Sequence, residues 1–471
     1  MDINVYNNRI EIENYDYDFE TNLKSKCKYT NKSAMFQIKR LQKSYYMKPQ
    51  YDGTDKQQAV LNEIDELKNK MYGNILEKKH GKLILPSGMV HFISDYKFND
   101  FRTKCGSKIS IPYIKALPTL RDYQNEAVTA MESNYRGIIN MSMGLGKTLC
   151  AIHAIKKFKV KTLVVVPTEN IAKQFHEEMV SYFGDHKIGL FSGKTKKIKD
   201  VTIGIANSVN KHIDKFKEID LGLVIFDEAH HTSATTFFTI SRELSGVGRM
   251  FGLTATNFRS DGLDILISAY CGDEICTKDI KFGIDNGWLA EPHFLIRKME
   301  SGILADPKEK LKAYQTHVVY NKIVKDQIFK DAKGMIDKGY KTLVVVQEIA
   351  HGKELAKELD IPFAQGSDPN TFGYIKDMGC GKLNALVATS GVISEGVNIN
   401  CMQVLILATF GKSEVAVTQG IGRAMRKAPG KDKALIIDYD ITNSTILSRY
   451  CKDRVGYYKK ITKNIRFING L

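Results

Sequence analysis

The sequence predicts an α/β chain: two tandem parallel-sheet domains behind a small α+β N-terminal domain. Three observations predict it. After residue 118, short apolar runs alternate with helical stretches: RGIINMS (136–142), KTLVVVPT (161–168), VTIGIAN (201–207), LGLVIFDEAH (221–230) and GRMFGLTAT (248–256). A second series follows: KTLVVVQE (341–348), ALVATS (385–390), QVLILAT (403–409) and KALIIDYD (433–440). Runs this rich in Val, Ile and Leu, without strict alternation, suit parallel strands covered on both faces. Helices between them make right-handed βαβ units. Third, KTLVVVP and KTLVVVQ are nearly one string, one in each half. That points to two similar domains, although apolar strands converge easily.

The 471 residues suit two or three domains. No run of 18 apolar residues occurs, so no membrane partner is expected. The start, MDINVYNNRIEIE, lacks the basic and apolar parts of a signal peptide, and a cytoplasmic location is expected. The eight cysteines are scattered with no CxxC pair, which predicts buried reduced thiols. Cys271 and Cys276 lack a second ligand pair at zinc spacing, so no structural zinc is expected. The net charge of +16 points to a polyanion, nucleic acid or an anionic membrane surface. A merely soluble basic protein is the bland alternative.

Taken in order, residues 1–20 hold six acids against one base. Residues 21–50 hold eight bases and no acid, with Tyr29, Phe36, Tyr45 and Tyr46 among them. This reads as a phosphate-facing surface, or equally as a solvated basic face over core aromatics. Residues 55–72 read as a helix. GKLILPSGMVHFI (81–93) reads as two strands around the turn signal Pro86-Ser87-Gly88. Pro112 and Pro118 mark a linker. The stretch from Asn286 to Pro292 reads as the junction between the two sheets, and residues 449–471, with seven bases and one acid, as a basic tail. The expected boundaries are an accessory DNA-binding domain at 1–115, sheet domains at 116–292 and 293–448, and the tail at 449–471.

The strongest local signal is Met143-Gly144-Leu145-Gly146-Lys147-Thr148, between an apolar strand and a helical stretch. Glycines let the backbone curl so that N–H groups point at phosphate oxygens, and the helix N-terminus adds its positive dipole end. Lys147 would reach the β- and γ-phosphates of ATP, and the Thr148 hydroxyl would bind Mg²⁺. The full GxxxxGK[ST] pattern wants glycine where this chain has Met141. Asp227-Glu228-Ala229-His230 ends an apolar strand, where parallel sheets place ligand-binding residues. Asp227 can hold Mg²⁺ through its water shell, and Glu228 is placed to polarise the attacking water. Gln419-Gly420-Ile421-Gly422-Arg423-Ala424-Met425-Arg426 supplies a third element. Arg423 and Arg426, three apart, would share a helix face and act at the γ-phosphate as arginine fingers. They lie in the second half, so the ATP site is expected to be completed by domain closure.

In this order the motifs resemble superfamily 2 helicases, over about residues 118–440. The resemblance implies two RecA-like domains, ATP and Mg²⁺ as cofactors, and a nucleic-acid partner. Leu120-Arg121-Asp122-Tyr123-Gln124 resembles the adenine-recognition motif, giving Arg121, Tyr123 and Gln124 to the base. Thr168 with Gln174, and Ser208, resemble the Ia and Ib segments that touch nucleic-acid backbone. Thr254-Ala255-Thr256 matches motif III, whose Thr254 and Thr256 would couple ATP state to strand grip; Asn257 departs from the usual proline. Residues 387–398 resemble motif V, with Thr389 and Ser390 on phosphate and Gly396 near the nucleotide. By the same resemblance His230 and Gln419 interact.

LRDYQ, DEAH, GLTAT, SEGVN and QGIGRAMR look most like the DNA-directed branch, and the short chain with its compact N-terminal domain is most similar to phage branch-migration helicases of the UvsW type. This implies an ATP hydrolase acting on forked or branched DNA, a monomer, in the host cytoplasm if phage-encoded. A duplex translocase without strand separation is the main alternative. MGLGKT also resembles Swi2/Snf2 remodellers, whose second-domain insertions are not found. A nucleotide-gated scaffold without turnover is disfavoured by the intact Lys147, Glu228, Arg423 and Arg426. A small-molecule kinase has no use for the second half.

Overall fold

The computed structural model describes residues 1–47, 54–228, 234–255, 263–394, 399, 401–410, 420–428 and 430–469. Contacts group the chain into two compact units, Met1–Met141 with Lys147–Thr277, and Ser142–Gly146 with Lys278–Leu471.

The first unit opens with a five-stranded sheet in the order Glu77–Lys79, Lys82–Pro86, Arg9–Glu13, Asp2–Val5, Asn99–Asp100. Alternate residues Ile3, Val5, Ile10, Ile12, Leu83 and Leu85 are all buried, so one face of this sheet is core. The helix Tyr17–Lys26 starts at Asp16, whose carboxylate accepts the Phe19 N–H at 2.7 Å. The helix read over 55–72 is Thr54–Asn69, and the chain then enters the short strand Tyr72–Asn74.

Two readings of this region are corrected. Only the first half of 81–93 is a strand; Ser87–Ile93 is 3₁₀-helical. Met89, where the two turns of this segment meet at a kink, and Ile93 are fully buried. Gly88 is there for close approach: a Cβ would stand 2.3 Å from the Ser268 carbonyl of the helix Asp264–Cys271. The proline-marked linker is a strap. Ile111 is buried, Tyr113 stacks on Phe183 at 5.9 Å, and the Ile114 N–H donates to the Tyr182 carbonyl at 2.8 Å.

The rest of this unit is a seven-stranded sheet in the order Ile188–Phe191, Val201–Ile205, Thr162–Val166, Leu223–Asp227, Arg249–Thr254, Arg136–Met141, Glu274–Lys278. The second unit's sheet runs Phe363–Ala364, Ala385–Thr389, Thr342–Val346, Val404–Ala408, Lys433–Ile441, Glu291–Met299, Ile465–Asn469. Strands pair in parallel, as read from the apolar runs. The two orders are the same, strand for strand along the chain. From the near-identical strings KTLVVV, the residues TLVVV form the third strand of each order and are fully buried, and both opening threonines donate to the carbonyl two residues back, Val160 at 2.8 Å and Tyr340 at 2.9 Å.

That repeat corrects the basic tail. Residues 445–461 are the helix Thr445–Ile461, and Ile465–Asn469 is the seventh strand, in the place Glu274–Lys278 holds in the first sheet. Leu447, Cys451, Arg454, Val455, Tyr458 and Ile461 face inward at helical spacing. Arg454 forks onto Asp438 with two 2.8 Å bonds, and the Tyr458 hydroxyl donates to the same carboxylate at 2.8 Å. All eight cysteines are free, and burial pushes the Cys150 and Cys271 thiols up to about 12. Among the described residues, no helix is long and apolar enough to cross a membrane.

Candidate nucleotide and nucleic-acid sites

Sheet order sets the first unit's site. Three adjacent strands end together: Asp227 is in register with Leu253, and Thr254 with Asn140, one residue before Met141. Strand spacing of about 4.8 Å thus sets Asp227, Thr254 and the root of the glycine loop side by side. The sheet is buried on both faces, so only its strand ends are open to a ligand. Strands ending at Val166 and Ile205 lie on the other side of Leu223–Asp227, and the chain just beyond them carries Thr168 and Ser208. One sheet end therefore has the nucleotide candidates on one side and the backbone-contact candidates on the other.

Lys147 opens the helix Lys147–Phe158 and is buried. Its ammonium donates to the Met141 carbonyl at 2.9 Å and lies 3.8 Å from Glu228 Oε1. Asp227 is also buried; desolvation, then the Glu228 charge, push its carboxyl up to about 7, against the pull of Lys147. Its Oδ1 accepts the Glu228 N–H at 3.1 Å. Two crowded carboxylates beside one ammonium are a donor set that a divalent cation would suit, with Thr148 on the first turn beside them. Among the described residues, no cluster of three or more His, Cys, Asp and Glu side chains could hold a metal ion. A nucleotide's phosphates would have to complete the shell.

Gly144 and Gly146 have φ of +84° and +86°, the left-handed region that favours glycine. Within the second unit, a Cβ on Gly144 would stand 2.9 Å from Leu289 Cδ2 and 3.1 Å from Arg426 Cγ. Leu145 is fully buried there.

Gln124 is buried on the helix Asp122–Ser133. Its amide oxygen accepts the Arg121 N–H at 3.0 Å, so it closes the helix start as well as being the adenine candidate. The Arg121 guanidinium donates to the Tyr123 hydroxyl at 3.0 Å, bringing those three residues together. Thr168 accepts the Ile171 N–H at the start of the helix Glu169–Phe183, which also carries Gln174. Ser208 lies on the helix Ala206–Lys211.

In the second unit Thr389 ends its strand and Ser390 opens the short helix Ser390–Ser394. That strand matches Val201–Ile205 of the first sheet, so Ser208 and Ser390 both lie on the helix that follows corresponding strands. Arg423 is buried and donates to the Ile393 carbonyl, tying the two segments. The shared helix face read for the arginines is corrected. The helix covers 420–424, and Arg426 lies beyond it, bridged to Leu289. The Arg426 N–H donates to the Arg423 carbonyl at 3.2 Å, three residues back instead of four, and the Met425 carbonyl accepts the Ala290 N–H at 2.7 Å. Lys431, missed in the sequence, is buried and donates to the Arg426 carbonyl at 2.8 Å. Burial lowers it to about 8. Nothing in its local sequence marks it. His230, Thr256, Gly396 and Gln419 lie outside the described residues.

Residues 117–259 match the family model described as type III restriction enzyme, res subunit. A Rad25 protein of Halobacterium salinarum is 30% identical over 330 residues, 68% of this chain and 54% of that one. The DNA 3'-5' helicase XPB of Mycobacterium tuberculosis is 29% identical over 264 residues, 53% of this chain and 47% of its own length. The chain spans about half the length of the Rad25 relatives it matches. Among solved structures, the type ISP restriction-modification enzyme LlaBIII bound to DNA overlays 80% of this chain and 34% of its own, with a TM-score of 0.59 at 15% identity.

Proposed function

We propose that this chain, a superfamily 2 helicase by its motor, hydrolyses ATP to move on DNA and to unwind or remodel forks and Holliday junctions in replication, recombination or repair. The observation that carries the reading is the alignment of Lys147, Asp227, Glu228 and Thr254 at neighbouring strand ends. A second sheet of the same strand order, with Arg423 and Arg426, supports it. N–H groups of Gly144, Leu145 and Gly146, with the Lys147 ammonium, hold the phosphates. Thr148 and Asp227 hold Mg²⁺, which offsets phosphate charge when bound. Glu228 orients the attacking water, and the arginines stabilise charge on the transferring phosphoryl group. Arg121, Tyr123 and Gln124 seat the adenine. Thr168, Gln174, Ser208, Thr389 and Ser390 grip phosphates, so motion is largely independent of sequence. Thr254, Thr256 and His230 with Gln419 carry the state of the nucleotide to that grip. The accessory domain at 1–115 holds a DNA arm.

The test is ATP hydrolysis and strand displacement on matched substrates: fork, Holliday junction, blunt duplex and single-stranded RNA. The strongest stimulation is expected on branched DNA, with strands separated. Triplex displacement without strand separation would favour the duplex translocase, and preference for RNA would overturn the DNA assignment.

A further inference from the structure

The phosphate loop follows the first strand of the first sheet, Arg136–Met141. Its counterpart in the second sheet is Glu291–Met299, and a different segment follows that strand before the helix Lys322–Asp337. This segment has no glycine-rich loop. It leaves large apolar side chains in solvent, Leu304 wholly exposed and Tyr320 74% exposed, and Ile323 on the first turn of the helix is 50% exposed. Ile323 Cδ1 lies 3.1 Å from where a Cβ on Gly302 would stand, so the start of the segment meets the helix that follows it.

The segment is firmly held. His317 is fully buried; its Nδ1 is 2.7 Å from Ser301 Oγ and its Nε2 3.4 Å from Asp306 Oδ1. This Ser–His–Asp set is sealed from any substrate and acts as a latch. Asp306 accepts the Thr445 N–H at 2.8 Å, and Asn321 donates to the Ser301 carbonyl at 2.7 Å. The Tyr314 hydroxyl donates to the Ala408 carbonyl at 3.1 Å, seating the segment on the end of the strand Val404–Ala408. Gln315–Val319 is a π-helical turn, a form that recurs at functional sites.

We propose that this segment is a base-contacting element, in which the exposed Tyr320 stacks on unpaired bases of a nucleic-acid strand. The inference rests on the motor reading and adds a contact to bases, where that reading invokes only phosphates. Two features favour this occupant. The segment lies at the strand-end face of its sheet, the end that also carries Thr389 and Ser390. Exposed Lys308, Lys310 and Lys322 lie on the same stretch of chain as the apolar side chains, matching a polymer with a charged backbone and apolar base faces. A rigid seat lowers the ordering cost of such a contact.

The experiment compares binding of the full chain to an oligothymidine strand and to an abasic strand of equal length. The wild type should prefer the base-bearing strand by roughly tenfold. Tyr320→Ala should lose most of that preference, and Tyr320→Phe, which keeps the ring, should retain it. Because Tyr320 is exposed, a matched melting temperature checks that the fold is intact. An unchanged preference in Tyr320→Ala, or its loss in Tyr320→Phe, overturns the proposal. So does an unchanged preference combined with altered self-association, which makes the patch a contact between copies. Failure of the motor reading looks different: the wild type would bind neither strand.

Discussion

Glu228 stands where the strand Leu223–Asp227 has run out, with a φ of +49°. A left-handed non-glycine residue costs about 1–2 kcal/mol, and such outliers persist where the surroundings impose them. Here the turn brings Glu228 within 3.8 Å of the Lys147 ammonium. Glu228→Gln keeps the shape of the side chain and removes its charge. It should retain ATP and cut steady-state turnover by roughly 10²–10⁴-fold, the range of a positioned general base. Lys147→Ala should abolish turnover while DNA binding remains. Phosphate release with nucleotide binding on the same samples checks both; a normal rate in Glu228→Gln removes it as the water-orienting group. These residues were legible because glycine-loop chemistry and paired carboxylates sit at fixed places on apolar strands. Lys431 was not, because a lysine that caps a carbonyl from a loop has no local pattern. Spacing alone puts Arg426 on a helix, because it cannot show that Arg426 leaves the helix to bridge Leu289.

The strands Thr162–Val166 and Thr342–Val346 were legible because strands buried on both faces must be apolar throughout. The helix Thr445–Ile461 was hidden by its charge: counting Lys452, Arg454, Lys459 and Lys460 suggests a solvated tail. Arg454 is 3% exposed and Asp438 fully buried, so one of those charges belongs to the core. The edge strand Ile465–Asn469 has little apolar pattern of its own and takes its register from Glu291–Met299. Losing one partner of a buried ion pair leaves the other charge uncompensated, at about 3–5 kcal/mol. Arg454→Met should therefore destabilise the second unit by that amount, through Asp438 rather than lost packing. The double replacement Arg454→Met with Asp438→Leu should recover much of the loss. Urea unfolding of both variants decides; equal losses would show that the pair's charge does not hold this helix.

The two sheets repeat one strand order, yet the segments at their ends diverge: a glycine loop after the first strand of one, an apolar latched segment after that of the other. Duplicated architecture follows from strand pattern, while function follows from the loops grafted on it. Charge is divided the same way. Of the net +16, Lys147, Arg423 and Arg426 have proposed roles at ATP phosphates, and Arg454 is neutralised by Asp438. Among the described bases of 21–50, Lys24 pairs with Glu20 at 2.6 Å. On the helix Lys32–Met47, Lys32, Phe36, Lys39 and Arg40 are exposed at positions that share a face. If this face holds a DNA arm, each base that meets a phosphate releases counterions, and the affinity falls with salt accordingly. Replacing Lys32, Lys39 and Arg40 with Gln should weaken fork binding and reduce the slope of log affinity against log salt by up to about 2.7, at about 0.9 per contact. Anisotropy titrations on a fork between roughly 50 and 200 mM salt measure that slope. A slope identical to wild type would make these residues a solvated face, and the motor would have to hold its substrate without them.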